Sequence, residues 1–354
     1  MNFNLMTTSP TKLACLCLLT LGQALPAAPA QGYVVEWGYD TPAGVATTPK
    51  LVLSNAVAVA LGMFHGLALR RDGTVAGWRG NFSGQATGAE LSERAVGPAT
   101  VRIGGRVLTN VIAIAAGRQF SLALETDGTL ATWGQNYIPK ELTNALAIAA
   151  AGYSSAVLKA DGTLVEWFSD PSLHQYGELF PAVGVSNAIA IALGQAYIGV
   201  RRVALLSAGT VTSWGQPGTD YAEAMPPPGL SNVVQVAASG GHTLALKSDG
   251  TVIGWGYNKN GQATGAPTPE LPCISAGQVR LEGHTLTNIV SVAAAEGYSL
   301  AVSRDGRLVA WGRMVNDLYP AIVPPGLSNV VAVAAGWDTC LAITVEGQLH
   351  PARQ

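Results

Sequence analysis

One short pattern of apolar and polar positions recurs along the chain and predicts most of its β-strands. An Asn is followed by a short run of Ala, Val and Ile, and a second apolar run ends at an acidic residue before Gly. A third apolar run then ends at Trp. Short apolar runs separated by turn residues are typical of β-strands rather than helices. The pattern therefore predicts units of three or more short antiparallel strands.

Seven copies of this unit can be recognised from the Asn that precedes the first strand. These asparagines are Asn55, Asn110, Asn144, Asn187, Asn232, Asn288 and Asn329. The acidic residue before Gly lies 17 positions later in six copies, whereas successive copies are separated by 34 to 56 residues. Constant modules joined by loops of variable length indicate a repeat architecture.

Each unit contains a predicted hairpin and a predicted packing residue. Asp-Gly between two apolar runs is a strong hairpin signal, and it predicts a type I′ turn with positive φ at both central residues. A large flat side chain repeated once per unit is expected to pack between neighbouring units. This inter-blade role is predicted for Trp37, Trp78, Trp133, Trp167, Trp214, Trp255 and Trp311.

Such units are too small to bury both faces of their own sheets, so neighbouring units must stack. Glycine-rich repeats of this length, each with one Trp, predict an all-β fold, a seven-bladed β-propeller. An open linear solenoid is the alternative, but it would need polar capping repeats that the sequence does not show.

The two ends of the chain predict how the ring closes. The last copy lacks its Trp, and Pro351, which cannot donate to a sheet, stands where its third strand belongs. Near the start, Gly32 and Trp37 have the spacing of the Gly and Trp in the other copies. We therefore expect residues 33–38 to dock as a strand into the blade built from residues 328–349, which leaves no open sheet edge there.

Residues 1–30 predict a signal peptide. Lys12 precedes an apolar run that has the length of a signal-peptide core and is too short for a confident membrane span. Small residues place the expected cleavage after Ala30. Cys15 and Cys17 raise the alternative of a lipid anchor, but the residues before them do not fit that signal. Residues 31–354 then form a single propeller domain, expected to be periplasmic, cell-surface or extracellular.

Composition narrows the class of protein. Charged residues make up only 12% of the 354 residues and 42 are Gly, which suits β-structure with tight turns and argues against disorder. A formal net charge of −2 without a basic run gives no support to nucleic-acid binding. Beyond the leader no stretch is long and apolar enough for a membrane span. Cys273 and Cys340 remain, either as one disulfide or as free thiols.

The stretch GTVIGWGYNKNGQATG, with a later proline and LTNIVSVAAAEGYSLAVSRDG, resembles the repeat of the regulator of chromosome condensation family. Residues 77–88 match the same motif, and the resemblance extends over residues 32–349. It implies a seven-bladed propeller. Members of that family include a eukaryotic nucleotide-exchange factor, a plant ultraviolet-light receptor and a secreted bacterial inhibitor of β-lactamases, so the fold alone does not determine the function.

The candidate binding residues lie about ten positions after each Asn. Equivalent turns of a propeller lie on one face, and aromatic residues and Arg often dominate interface energies. The alternative is that each side chain merely caps its own blade, which we expect for the two histidines taken singly. The predicted binding face comprises Phe64, His65, Arg118, Phe120, Tyr153, Tyr197, His242, Tyr298, Trp337 and Asp338.

No catalytic constellation is recognisable, so the sequence predicts no catalytic residues, no metal and no cofactor. The five His residues show no metal-ligand spacing, and no nucleophile elbow or phosphate-binding loop is present. We expect an exported, monomeric, non-catalytic module that binds a protein or a glycan. The alternative is a polysaccharide lyase or hydrolase with carboxylates in the central depression. Guanine-nucleotide exchange, the activity of one member of the family that the repeat resembles, is poorly supported. The exchange factor has histidines at the position ten residues after the Asn, and only two of the seven copies here keep His there.

Overall fold

The computed structural model describes residues 32–40, 45–46, 49–88, 95–135, 138–139, 142–170, 175–181, 185–195, 200–214, 225–314 and 319–345. The regular secondary structure assigned in these residues consists of β-strands. They form seven small antiparallel sheets whose innermost strands contact one another around a closed ring. The predicted seven-bladed propeller is therefore confirmed, and the open solenoid is wrong. The predicted signal peptide lies outside the described residues.

In blades 1 to 6 the described strands follow one another outward from the axis in chain order. They are Ala56–Leu61, His65–Arg70, Val75–Gly80 and Ala95–Thr100 in blade 1; Val111–Ala116, Phe120–Glu125 and Leu130–Gly134 in blade 2; Ala145–Ala151, Ser154–Lys159, Leu164–Asp170 and Gln175–Pro181 in blade 3; Ala188–Gln195, Val200–Leu206 and Val211–Trp214 in blade 4; Val233–Ala238, His242–Lys247, Val252–Tyr257 and Ile274–Gln278 in blade 5; and Ile289–Ala294, Tyr298–Ser303, Leu308–Met314 and Tyr319–Pro320 in blade 6.

Blade 7 is assembled from both ends of the described chain. Its two inner strands come from the C-terminal part, and its outer strands come from the N-terminal part. In order from the axis they are Val330–Ala335, Thr339–Thr344, Tyr33–Asp40 and Lys50–Leu53, with Val45–Ala46 paired to the end of the third.

The register of this closing strand is the one that the repeat requires. Trp37 lies opposite Cys340 in the antiparallel ladder. The main-chain N–H of Ala56 donates to the carbonyl of Gly32 at 3.0 Å, just as the N–H of Val111 donates to the carbonyl of Gly73 at 3.1 Å. The N-terminal strand thus makes the same contact with the next blade as a chain-continuous blade does, and the predicted closure is confirmed.

Each Trp side chain that the structure describes at the end of a third strand packs against the preceding blade. Trp37 of blade 7 lies in a buried cluster with Leu300 and Leu308 of blade 6. Trp78 of blade 1 packs with Leu341 of blade 7. The inter-blade role is confirmed in the same way for Trp133, Trp167, Trp255 and Trp311, while the side chain of Trp214 lies outside the described part.

The Asp-Gly hairpins form as predicted, but their turn type differs from the prediction. In the first one, only Gly73 has a positive φ, at 78°, and its N–H donates to the carbonyl of Arg70 at 3.0 Å. This geometry is a type I turn followed by a left-handed Gly. Asp72 Oδ1 accepts hydrogen bonds from the N–H and the hydroxyl of Thr74, at 3.0 and 2.7 Å. These side-chain bonds stabilise the longer turn, so the type I′ assignment was wrong.

Candidate binding face

The turns that join the inner to the second strands lie on one face of the propeller, which we call the turn face. The third strands also end there, because they run antiparallel to the second strands: Arg79 lies opposite His65. The Asp-Gly turns and the small hairpins of the two long insertions lie on the opposite face. Those small hairpins are Arg102–Ile103 with Arg106–Val107, in the insertion before blade 2, and Arg280–Leu281 with His284–Thr285, in the insertion before blade 6.

Four residues predicted for the binding face point into the protein. His65, Phe120, His242 and Tyr298 are all 0% exposed. Each is the first residue of its second strand rather than part of the turn. The antiparallel register places these side chains below the turn and against the next blade. Their assignment to a partner-contacting surface is therefore wrong, although the positions were correctly grouped as equivalent.

His65 connects blade 1 to blade 2. Its Nε2 lies 2.7 Å from the hydroxyl of Ser121, and that hydroxyl donates to the carbonyl of Gln85 at 2.8 Å. The single hydroxyl proton is used in the second bond, so the hydroxyl oxygen must accept a hydrogen bond from the Nε2–H. The imidazole is therefore in the neutral Nε2–H form and acts as a donor across the blade interface.

His242 repeats this arrangement between blades 5 and 6, with Nε2 2.6 Å from the hydroxyl of Ser299. The pKa of both histidines is lowered from 6.5 to about 3. Burial is the larger cause, and the positive charge of Arg79 for His65, or of Arg201 for His242, is the second cause. Both rings are thus kept neutral, which suits a buried donor without a countercharge.

Tyr298 and Phe120 also serve contacts between blades. The Tyr298 hydroxyl donates to the carbonyl of Gly336 at 2.8 Å and lies 3.2 Å from the thiol of Cys340, in blade 7. Burial and the neighbouring Cys340 raise the pKa of Tyr298 well above its usual value. Phe120 packs in a cluster with Trp167 of blade 3. These four residues therefore serve the fold by joining neighbouring blades, and His242 also caps its own blade, because its Nδ1 lies 2.9 Å from the hydroxyl of Ser239.

The residues just before these positions lie at the surface of the turn face. Blades 5 and 6 have small residues there, the pair Gly240 and Gly241 and then Gly297 after Glu296, whereas the other described turns carry larger side chains. Tyr197 lies outside the described residues. The larger side chains of blades 7, 1, 2 and 3 form a surface that we call the aromatic arc: Phe64, Phe82, Arg118, Tyr153, Phe168, Trp337 and Asp338.

Two aromatic pairs and one Arg organise the aromatic arc. Phe64 meets Phe82 edge to face, with ring centroids 5.4 Å apart. Tyr153 meets Phe168 in the same way at 6.3 Å, and the guanidinium of Arg118 lies 5.4 Å from the Tyr153 centroid. Such aromatic and cation–π contacts orient side chains without burying them completely. That the partly exposed residues of the arc bind a partner stays a prediction.

Sequence reasoning missed Phe82 and Phe168. Phe82 is 44% exposed and lies in the loop after the third strand of blade 1. Phe168 follows Trp167 directly, at the position where blades 2 and 6 carry Gly134 and Gly312. An aromatic residue at a position that is Gly in other repeats could have indicated that blade 3 carries an additional surface side chain.

Main-chain bonds hold the turns of the aromatic arc in place. The N–H of Met63 in blade 1 donates to the carbonyl of Gly117 in blade 2 at 3.2 Å. The N–H of Arg118 then donates to the carbonyl of Gly152 in blade 3 at 2.7 Å. Three consecutive turns are therefore tied together, and the side chains they carry are held in a defined relative arrangement.

Arg79 links the arc across the closure of the ring. It has φ 71° at a position that is Gly in blades 2, 5 and 6, so an unfavourable backbone conformation is retained there. Its guanidinium lies 3.6 Å from Asp338 of blade 7 and also donates to the hydroxyl of Thr339. The charges of Arg79 and Asp338 compensate each other, and blade 1 is joined to blade 7 on the turn face.

The central channel encloses about 190 Å³ and is lined by the inner strands of all seven blades. Its described lining consists of Ala, Val, Leu and Ile, together with Gln235. The Gln235 amide bonds to the main-chain N–H and carbonyl of Val292, at 3.1 and 3.2 Å. This lining offers none of the paired carboxylates that the polysaccharide-active alternative requires.

Three further features of the described chain bear on its chemistry. No group of three or more His, Cys, Asp or Glu side chains in these ranges is arranged to hold a metal ion. None of its elements is a helix long and apolar enough to cross a membrane. Cys273 and Cys340 are both buried, free thiols.

A model of the regulator of chromosome condensation (RCC1) repeat matches residues 111–137 and 233–262, in blades 2 and 5. No curated protein matches the sequence.

Solved structures share the fold of the chain. Yeast RCC1 (Prp20) bound to Kap60 superposes with a TM-score of 0.68 at 18% identity, over 97% of this chain and 95% of that one. Prp20p from Saccharomyces cerevisiae gives 0.67 at 17% identity, over 92% and 93%. Human WBSCR16 gives 0.63 at 15% identity, over 88% and 99%. The chain is thus a seven-bladed β-propeller that contains RCC1 repeats and has the fold of RCC1.

Proposed function

We propose that this propeller is an exported, non-catalytic module that binds a partner protein through the aromatic arc. The observation that carries this proposal is the partly exposed group of Arg118, Tyr153 and Phe168. Arg118 and Tyr153 lie on turns that are tied together by a main-chain bond, and Phe168 lies on the third strand of blade 3. Arg and aromatic side chains supply most of the energy at protein interfaces. Held in place before binding, they lose little conformational entropy when a partner arrives.

Two further observations support this proposal. Yeast RCC1 (Prp20) has been solved bound to Kap60, and the study of Prp20p describes its binding to Gsp1p and histones. Propellers of this fold therefore include protein-binding members, although the low identity transfers no partner. The signal-peptide pattern of residues 1–30 supports export, so the partner is expected outside the cytoplasm.

The test is partner capture with matched variants. The purified protein is used as bait in periplasmic extract and culture medium, beside a variant with Tyr153→Ala and Trp337→Ala. A control variant with Arg106→Ala and His284→Ala changes two exposed residues on the opposite face. We expect one captured protein to be retained by the wild type and the control and lost with the arc variant. Equal capture by all three correctly folded proteins would refute the assignment to the aromatic arc.

A further inference from the structure

Arg118 differs from Arg79, the arginine that pairs with Asp338 of the aromatic arc, because no hydrogen bond from its guanidinium to a described residue is formed. Its Nε is buried and has no hydrogen-bond partner among the described residues. No described carboxylate forms an ion pair with it, whereas Arg79 lies 3.6 Å from Asp338. The Arg118 guanidinium lies over the face of Tyr153, 5.4 Å from the ring centroid.

This environment orients the guanidinium while leaving its hydrogen-bonding capacity unused. A guanidinium presents five N–H donors in one plane and cannot be deprotonated in a protein. The cation–π contact with the Tyr153 ring holds the guanidinium over that ring, and the bond from the Arg118 N–H to the Gly152 carbonyl holds the main chain below it. A buried donor without an acceptor is unfavourable, so a ligand that supplies two coplanar oxygens would bind here with a favourable free energy.

The neighbouring groups define the chemistry of that ligand. Arg118 forms no ion pair with a described carboxylate, and the nearby Arg79 is already paired with Asp338, so the single positive charge that remains is matched by the single charge of a carboxylate. Phe168 stands edge to face against Tyr153 and provides an apolar wall beside the cation. The ligand group should therefore be a carboxylate attached to an apolar body.

We propose that Arg118, Tyr153 and Phe168 form a subsite for a carboxylate carried by an apolar segment of the partner, either an Asp or Glu side chain or a C-terminal carboxylate. This subsite rests on the proposed function, because it assigns the partner chemistry that the aromatic arc recognises. The carboxylate accepts two hydrogen bonds from the guanidinium, and the apolar body packs on the Tyr153 and Phe168 rings.

The test uses a pair of small probes that differ only in charge. N-acetyl-phenylalanine carries the carboxylate and the apolar ring, and N-acetyl-phenylalaninamide replaces the carboxylate with a neutral amide. Binding is followed by titration calorimetry and by the chemical shifts of the arginine Nε–H groups. We expect the acid to bind about tenfold or more tightly than the amide, because hydrogen bonds to charged groups are the stronger ones.

Variants locate the site. Arg118→Gln should abolish the preference for the acid, and Arg118→Lys should retain only part of it because the planar fork is lost. Arg280→Gln, at an exposed Arg on the opposite face, is the control and should bind like the wild type. Equal affinities for acid and amide, or an unchanged preference in Arg118→Gln, would overturn the subsite. Tighter binding of phenyl phosphate than of the acid would overturn the assignment to a carboxylate.

Failure of the subsite can be separated from failure of the proposed function. If Arg118→Gln captures the protein partner as well as the wild type does, while Tyr153→Ala with Trp337→Ala does not, the arc binds a partner without the carboxylate contact and the subsite is refuted. If the acid binds at Arg118 and no partner depends on the aromatic arc, the subsite stands and the proposed function is refuted.

Discussion

Replacing Trp37 by Ala tests whether the closing strand is as firmly packed as a strand from the middle of the chain. Trp37 is 1% exposed, and its indole N–H donates to the carbonyl of Ile322 at 3.0 Å. Trp311 provides a matched comparison, since it is 6% exposed and donates to the carbonyl of Gln262 at 2.9 Å. The two differ in one respect: Trp37 lies on a strand that joins its blade through pairing alone.

The magnitude follows from burial. Truncating a buried Trp to Ala removes its packing and leaves a cavity, at a cost of about 3–5 kcal/mol. The free energy of unfolding of a typical protein is about 5–15 kcal/mol, so such a loss is readily measured. If the ring is closed as described, Trp37→Ala and Trp311→Ala should lose similar amounts.

Urea unfolding followed by circular dichroism gives both free energies of unfolding. A loss below about 1 kcal/mol for Trp37→Ala, beside a full loss for Trp311→Ala, would show that the N-terminal strand separates readily and would refute the closure. A chain that begins at Thr41 should be less stable still, because it also lacks the buried Val34 and Val35. An unchanged melting temperature for that chain would contradict the same reasoning.

Three other predictions follow from buried groups and backbone conformation. The pKa of His242 is about 3 in the folded protein and 6.5 when unfolded, so its contribution to the free energy of unfolding is complete above pH 6.5 and falls by about 1.4 kcal/mol per pH unit toward pH 3. His242→Gln should therefore flatten the pH dependence of the urea midpoint, and an unchanged slope would contradict this. Burial raises the pKa of Cys340 to about 12, so a thiol reagent at pH 8 should label Cys340 and the buried Cys273 only after unfolding. Labelling of Cys340 in the native protein would contradict its burial between blades 6 and 7. Asn288 has φ 63°, so Asn288→Ala should cost about 1 kcal/mol and Asn288→Gly less, whereas equal losses in a thermal melt would argue against the backbone explanation.

Local sequence patterns were sufficient for the blades because the relevant interactions are local or repeated. Three apolar runs at constant spacing specify three paired strands, and a Trp at the end of the third run has the preceding blade as its partner. The incomplete last repeat and the early Trp37 were likewise enough to predict the closing strand. Trp37 has no repeat unit before it and the last repeat lacks a third strand, so the strand that carries Trp37 was expected to pair there, and the register confirms this.

The sequence by itself therefore determined the fold class, the number of blades and the way in which the ring closes. The tertiary structure alone decided which residues near the turns are buried and which are exposed. His65 begins the second strand and lies under the turn against the next blade, whereas Phe64 belongs to the turn itself, so a shift of one position separates the buried His65 from the partly exposed Phe64. Which face is buried depends on how the next blade packs, and the repeat pattern does not contain that information. The same reason applies to Arg118: that its Nε has no acceptor among the described residues is visible only when blade 3 is placed beside it.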